Sequence, residues 1–202
     1  ASNIFVDTPT NDFDVSAAYS SDGQKMTGMT GTESSTMLRI SGTLDGQSLT
    51  LPRDGFVYVL AGLTIAPIGA LTIAPGTIIK MHPGAQPAVY GSLTLGDSAS
   101  PLWTIVTSIN DDSVGGDTNG DGTATSPVAG DWTNITAEAG GTVSLTRTAL
   151  RYGGREARYD YVCQAYCGPT YFTYSQLVNH GGTLHVNDGR FTHALSSIDM
   201  KG

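Results

Sequence analysis

The sequence predicts an all-β chain built as a stacked coil of short parallel strands. Three observations predict it. The 202 residues include 26 Gly, Ser and Thr are abundant, and β-branched residues recur in runs of three or four while helix formers are scarce. That composition favours many short strands joined by tight turns. A short unit then repeats. Gly62-Leu63-Thr64-Ile65-Ala66-Pro67 is followed closely by Ala70-Leu71-Thr72-Ile73-Ala74-Pro75, and later by Gly91-Ser92-Leu93-Thr94-Leu95. Finally, each unit alternates apolar and polar residues. In an extended strand this points Leu63 and Ile65, Leu71 and Ile73, and Leu93 and Leu95 inward, and Thr64, Thr72 and Thr94 outward. The expected inward stacks are Leu63, Leu71 and Leu93, and Ile65, Ile73 and Leu95.

In chain order, residues 1–50 are expected to form an N-terminal cap or appendage, with a helical turn or two at Asp12–Tyr19. Residues 51–202 are expected to form the coil, with short strands and one turn for every step like that from Leu71 to Leu93. Two insertions interrupt it, at about 108–131 and 155–174. After the first, Gly141-Thr142-Val143-Ser144-Leu145 and Gly182-Thr183-Leu184-His185-Val186 repeat the unit over a longer interval. That longer repeat carries Leu150 onto Phe191 and Tyr152 onto His193. A partial copy aligns Leu150–Gly154 with Val178–Gly182. Such coils bury their inward residues only by stacking on their neighbours. A β-sandwich would need longer strands and hairpin signals, and the one Asn-Gly, at 119–120, lies in an acidic loop. Gly181 to Asp199 still reads as coil with no capping pattern after it. The chain is therefore expected to be part of a longer one, or to have its end covered by another chain.

Charge and length narrow the function. Ten basic residues against 18 acidic give a net charge of −8, which argues against nucleic acid. No stretch reaches the roughly 18 apolar residues of a membrane span, so no membrane insertion is expected.

Two stretches carry a resemblance. Asp54–Ile65 running into Gly69–Lys80 resembles the opening coils of secreted bacterial right-handed parallel β-helix proteins, of the pectate-lyase-like superfamily. Asp111–Gly122, continuing to Ser126-Pro127 and Gly130-Asp131-Trp132, resembles a loop recurring in that group. The resemblance covers about residues 50–202. It implies a right-handed parallel β-helix and a secreted or cell-surface bacterial setting. The fold serves adhesins, stalks, lyases and glycosidases alike, so it does not fix an activity.

The first insertion offers a cation site. Asp117, Asn119 and Asp121 alternate and are followed by Gly122, the first half of an EF-hand-type calcium loop. Thr123 offers a backbone carbonyl at the seventh position. The twelfth is Val128 and not Glu, so Asp111, Asp112 or Asp131 is expected to complete the shell. Seven acidic residues and no Lys or Arg lie between Lys80 and Arg147. Carboxylates so clustered repel, and structural calcium would remove that cost. The competing reading is a solvated turn, since Asp, Asn and Gly are ordinary turn formers.

The second insertion holds Tyr159, Tyr161, Tyr166, Tyr171, Phe172 and Tyr174, with Arg147, Arg151, Arg155 and Arg158 leading into it. Tyrosines Tyr159, Tyr161, Tyr166, Tyr171 and Tyr174 with Arg151, Arg155 and Arg158 form a candidate platform for a glycan or an anionic group. Alternatively, the rings pack the insertion onto the coil and the arginines offset acidic neighbours. Cys163 and Cys167 are the two cysteines of the chain, and a secreted setting favours a disulfide between them.

No catalytic residue is assigned. A lyase of this fold needs calcium ligands and a base on one exposed strand face, whereas the faces from Leu63 to Leu95 show Thr and Ser. A glycosidase needs paired acids facing one bond. Asp111-Asp112 and Asn179-His180-Gly181-Gly182 are a faint match. His180, His185 and His193 are expected near one coil edge. The expectation is a non-catalytic adhesion, binding or stalk module recognising a glycan or a protein surface. The alternative is a fragment of a β-helix polysaccharide lyase or glycoside hydrolase.

Overall fold

A computed structural model describes residues 4–7, 37–154, 156–158, 171–173, 175–194 and 196–201. The described residues hold sixteen strands and no helix: β1 Ile4–Asp7, β2 Met37–Leu44, β3 Ser48–Leu51, β4 Val57–Ile65, β5 Ala70–Ile73, β6 Ile78–Met81, β7 Ala88–Val89, β8 Ser92–Leu95, β9 Thr104–Ser108, β10 Ile135–Glu138, β11 Thr142–Arg151, β12 Glu156–Arg158, β13 Tyr171–Thr173, β14 Ser175–His180, β15 Thr183–Thr192 and β16 Ser196–Lys201. The chain is thus all-β over these residues, and fourteen of the strands belong to one mostly parallel sheet. The Asp12–Tyr19 stretch lies outside the described residues.

The parallel pairings form three ladders. One joins β3, β5, β8 and the first halves of β11 and β15, setting Leu49, Leu71, Leu93, Val143 and Leu184 side by side, and likewise Leu51, Ile73, Leu95, Leu145 and Val186. A second joins β2, β4, β6, β9 and the second halves of β11 and β15, aligning Leu38, Tyr58, Ile79, Val106, Leu150 and Phe191. A third runs from the ends of β2 and β4 through β7, β10, β14 and β16. Strands β2 and β3, before residue 51, already belong to these ladders.

Inward columns are aliphatic and sealed: Leu49, Leu71, Leu93 and Val143 are buried, as are Leu51, Ile73, Leu95 and Leu145. Leu63 and Ile65 are also buried but stand in a different ladder, beside Gly42 and Leu44. The neighbours of Leu71 are Leu49 and Leu93, so the structural step runs from Leu49 to Leu71 and not from Leu63 to Leu71 as the local repeat suggests. The reason is that β4 is long enough to serve two ladders. It turns at Gly62, whose φ of +111° matches the φ of +109° at Gly42 in β2, where the register slips. A side chain is strained there, and glycine is not.

The longer repeat is a true register. Thr142 lies opposite Thr183 and Leu150 opposite Phe191. Its kinks repeat too. Arg147 and Asp188 both have positive φ, as do Tyr152 and His193, and the Tyr152 and His193 rings stack with centroids 4.5 Å apart. The alignment of Leu150–Gly154 with Val178–Gly182 is not a register, because Val178 pairs with Thr136 in another ladder.

Candidate functional site

The segment between β9 and β10 is not a free excursion. It folds back over the outer face of β4, β6 and β9, where Val57, Val59, Lys80 and Thr107 are all buried. Gly115 makes this approach possible. A Cβ there would stand 2.7 Å from Val57 Cγ2 and 3.5 Å from Lys80 Cε. The next residue, Gly116, offers its carbonyl to Lys80 Nζ at 2.6 Å. Trp132 closes the segment. Its buried indole donates to Arg151 O at 2.8 Å, and Gly153 lies flat against the ring, with a Cβ there only 2.4 Å from it.

Lys80 is the residue the sequence reading missed. Its strand neighbours Ile79 and Met81 point into the core, so its own side chain faces outward, under the acidic segment. Burial pushes its ammonium below the ordinary lysine value, against the opposing pull of Asp112, Asp111 and Asp117. The carboxylates of the loop therefore have a cation of their own chain beneath them. Arg151 is a second, 3.9 Å from Asp111 Oδ2. The signal available in the sequence was the alternation of β6, but the link to the loop, far along the chain, exists only in the fold.

The seven predicted cation ligands separate into two groups. Asp111 is buried and hydrogen-bonded through both oxygens: Thr107 Oγ1 donates to its Oδ2 at 2.6 Å, and the Ser113 hydroxyl and N–H donate to its Oδ1 at 2.5 and 3.2 Å. Asp131 anchors the far end of the segment, its Oδ2 accepting from Ser108 Oγ at 2.6 Å, Val128 N at 3.2 Å and Asn110 Nδ2 at 3.3 Å. Neither belongs to the group of carboxylates that converges on one point. Asp112, Asp117 and Asp121 do converge, each offering a carboxylate oxygen within 4.8 Å of the other two. Oδ1 of Asp112 and Oδ1 of Asp121 are buried atoms without a hydrogen-bond partner.

The local sequence explains the convergence. Asp117 accepts from Gly122 N (2.8 Å), Gly120 N (2.8 Å) and Asp121 N (3.2 Å), wrapping the loop around one carboxylate. These N–H groups, that of Gly122 foremost, hold the Asp117 carboxyl below its ordinary value. Positive φ at Gly120 and Gly122 permits the wrap. The Asn119 side-chain oxygen accepts from Asp121 N at 3.4 Å. The Asn119 amide NH2 donates to Asp121 Oδ2 at 2.9 Å, Thr125 Oγ1 at 3.0 Å and Asn110 Oδ1 at 3.2 Å. Thr123 is exposed at the loop tip. The arrangement combines two features: hydrogen bonds of a self-sufficient turn at Asp117, and two bare oxygens, from Asp112 and Asp121, beside it.

The other candidates are dispersed. Tyr159, Tyr161, Tyr166, Tyr174, Arg155, Cys163 and Cys167 lie outside the described residues. Arg158 and Tyr171 are backbone register partners in the antiparallel pair β12–β13. Arg151 reaches toward the acidic segment, 3.9 Å from Asp111 Oδ2. The three late histidines do not share an edge: His180 lies 3.6 Å from Glu138 on the third ladder, His185 is exposed on the first, and His193 stacks on Tyr152 after the second. His180 and the Asp111-Asp112 pair therefore sit on different ladders. Thr50, not Thr64, is the ladder neighbour of Thr72 and Thr94. No protein-family model, no curated protein and no solved structure matches this chain.

Proposed function

We propose that the chain is a secreted bacterial surface module, a right-handed parallel β-helix of the pectate-lyase-like kind. In this reading it binds a glycan or a protein surface, or displays loops on a stiff stalk, without catalysis. The first turns of the three ladders support the winding, because they advance by similar sequence steps: Ser48 pairs with Ala70, Val57 with Ile78, and Thr64 with Ala88. Parallel crossovers are overwhelmingly right-handed, which supports the hand. The single observation that carries the non-catalytic reading is where the acids and bases go. Lys80 and Asp111 are sealed beneath the loop, Asp131 is consumed as an anchor, and His180 belongs to a different ladder.

In the same proposal the acidic loop holds structural calcium through Asp112, Asp117 and Asp121. All three donors are oxygens, which suits a hard cation. Calcium tolerates the irregular shell that a loop supplies better than magnesium does. The two bare carboxylate oxygens are what a cation would satisfy.

The second reading, a polysaccharide lyase or glycoside hydrolase, would draw on Glu138 and His180, both partly buried and 3.6 Å apart. Incubation with polyuronates and neutral glycans, with and without calcium, separates the two. Binding on a glycan or protein array without turnover supports the module. Turnover that disappears in Glu138→Gln establishes the enzyme instead.

A further inference from the structure

The Asn119-Gly120 step carries chemistry that the cation reading leaves unused. An Asn followed by Gly is prone to intramolecular loss of ammonia, because no Cβ shields the glycine nitrogen from the Asn Cγ. Gly120 is exposed, and apart from its chain neighbours nothing stands within 4 Å of where its Cβ would lie, so water reaches this step.

The closed loop restrains both reacting groups. Gly120 N–H donates to Asp117 Oδ1 at 2.8 Å. Removing that proton would leave a second negative charge beside the carboxylate, so the nitrogen is held in its unreactive, protonated form. The Asn119 carboxamide is pinned at both ends. Its Oδ1 accepts from Asp121 N at 3.4 Å, and its Nδ2 donates to Asp121 Oδ2 at 2.9 Å, Thr125 Oγ1 at 3.0 Å and Asn110 Oδ1 at 3.2 Å. Held by these bonds, it is not free to turn for attack.

We propose that Asn119 is a modification site kept latent by this loop: it persists while the loop is closed, and converts to aspartate or iso-aspartate when the loop opens. In the conversion the Gly120 nitrogen bonds to Asn119 Cγ, the Cγ–Nδ2 bond breaks, and ammonia leaves with the proton that Gly120 gives up. The cyclic imide so formed takes up a water molecule, which opens it at either carbonyl. One opening leaves an aspartate at position 119. The other leaves an iso-aspartate, with the main chain routed through the former side chain. The change is one-way. A carboxylate only accepts hydrogen bonds, so position 119 loses every bond it made through Nδ2 and sets a further negative charge against Asp117 and Asp121. The converted loop does not reclose as before, and the chain keeps a record of the opening.

The test is run on the full chain in chelator, so that no divalent cation takes part, at mildly alkaline pH. Mass spectrometry of proteolytic fragments follows the mass gain at position 119 and the iso-aspartate formed there. A synthetic peptide with the sequence of residues 115–125 supplies the rate of the open chain. The folded chain is expected to convert at least about tenfold more slowly than the peptide, since conversion waits on local opening. Asp117→Ala should remove most of that difference while the chain keeps a cooperative melt. Conversion of the parent as fast as the peptide overturns the proposal, and so does a folded Asp117→Ala variant as slow as the parent. Should Asp117→Ala not fold, Thr125→Ala takes its place, at an exposed position. It should convert faster than the parent, and a rate equal to the parent's overturns the proposal. Asn119→Asp tests the one-way character. It should melt below the parent in chelator, and a melt at or above the parent's would show that the closed loop accepts the product and overturn that part.

Discussion

Lys80 and Tyr58 show how single buried polar groups set the chemistry of this chain. Lys80 balances part of the acidic loop and hydrogen-bonds Gly116 O. Lys80→Met keeps the aliphatic stem but leaves that carbonyl without its donor, at a cost of about 1–3 kcal/mol in chelator, read from denaturant melts. With the ammonium gone the loop is more negative, so calcium should bind more tightly to this variant than to the parent, as calorimetric titration would show. Weaker binding would mean that Lys80 organises the site. Tyr58 is fully buried and donates to Asp54, with Oδ1 at 3.0 Å. Burial first, then the Asp54 charge and hydrogen bond, raise its phenol far above the ordinary value of 10.0. A folded-state pKa raised above the unfolded one means stability that is intact below pH 10 and lost as pH rises beyond it. Tyrosinate absorbance should therefore show one tyrosine that ionises only with alkaline unfolding, and Tyr58→Phe should abolish that delayed step. The two kinds of site residue differ in legibility. The Asp-x-Asn-x-Asp-Gly pattern was readable because its residues are neighbours in sequence. Lys80 was not, because only the register of β4, β6 and β9 brings it under the loop.

Strands carry the next level, and here the repeat that takes Thr142 to Thr183 was legible while the one that takes Leu63 to Leu71 misled. A local repeat does not distinguish strands that merely follow one another in the chain from strands paired side by side in one ladder. Register decides, and it pairs Ile73 with Leu51 and Leu95. Ile73→Asp places an unpaired charge between them and should prevent folding, at a cost above about 4 kcal/mol. A soluble variant with a cooperative melt would contradict the assigned core. The left-handed kinks are a second element-scale feature. Tyr152 has φ +63° and stacks on His193 at φ +56°. Asn tolerates that conformation and a β-branched residue does not. Tyr152→Val should therefore cost roughly 1–3 kcal/mol more than Tyr152→Asn in urea melts, although both lose the ring stack. Equal losses would show that the stack, and not the backbone, limits this corner.

Across the molecule, three parallel ladders share one aliphatic interior, and an acidic segment is laid over the outer face of one of them. The all-β, parallel character was legible because Gly-bounded apolar–polar–apolar units depend only on composition and alternation. How the segment lies was not, since its position depends on Gly115 and Gly153 admitting close approach to Val57 and Trp132. The central proposal is that this acidic segment is a cation-held part of the fold. The deciding measurement is the melting temperature of chelator-stripped protein, confirmed metal-free by elemental analysis, with and without millimolar calcium. Calcium should raise it, by the equivalent of roughly 2.7 kcal/mol at 100 times the dissociation constant, with a smaller rise in magnesium and most of the rise lost in Asp121→Ala. Superimposable melts of the stripped protein in both conditions would contradict the claim and leave Asp117 and its three N–H donors as an ordinary turn.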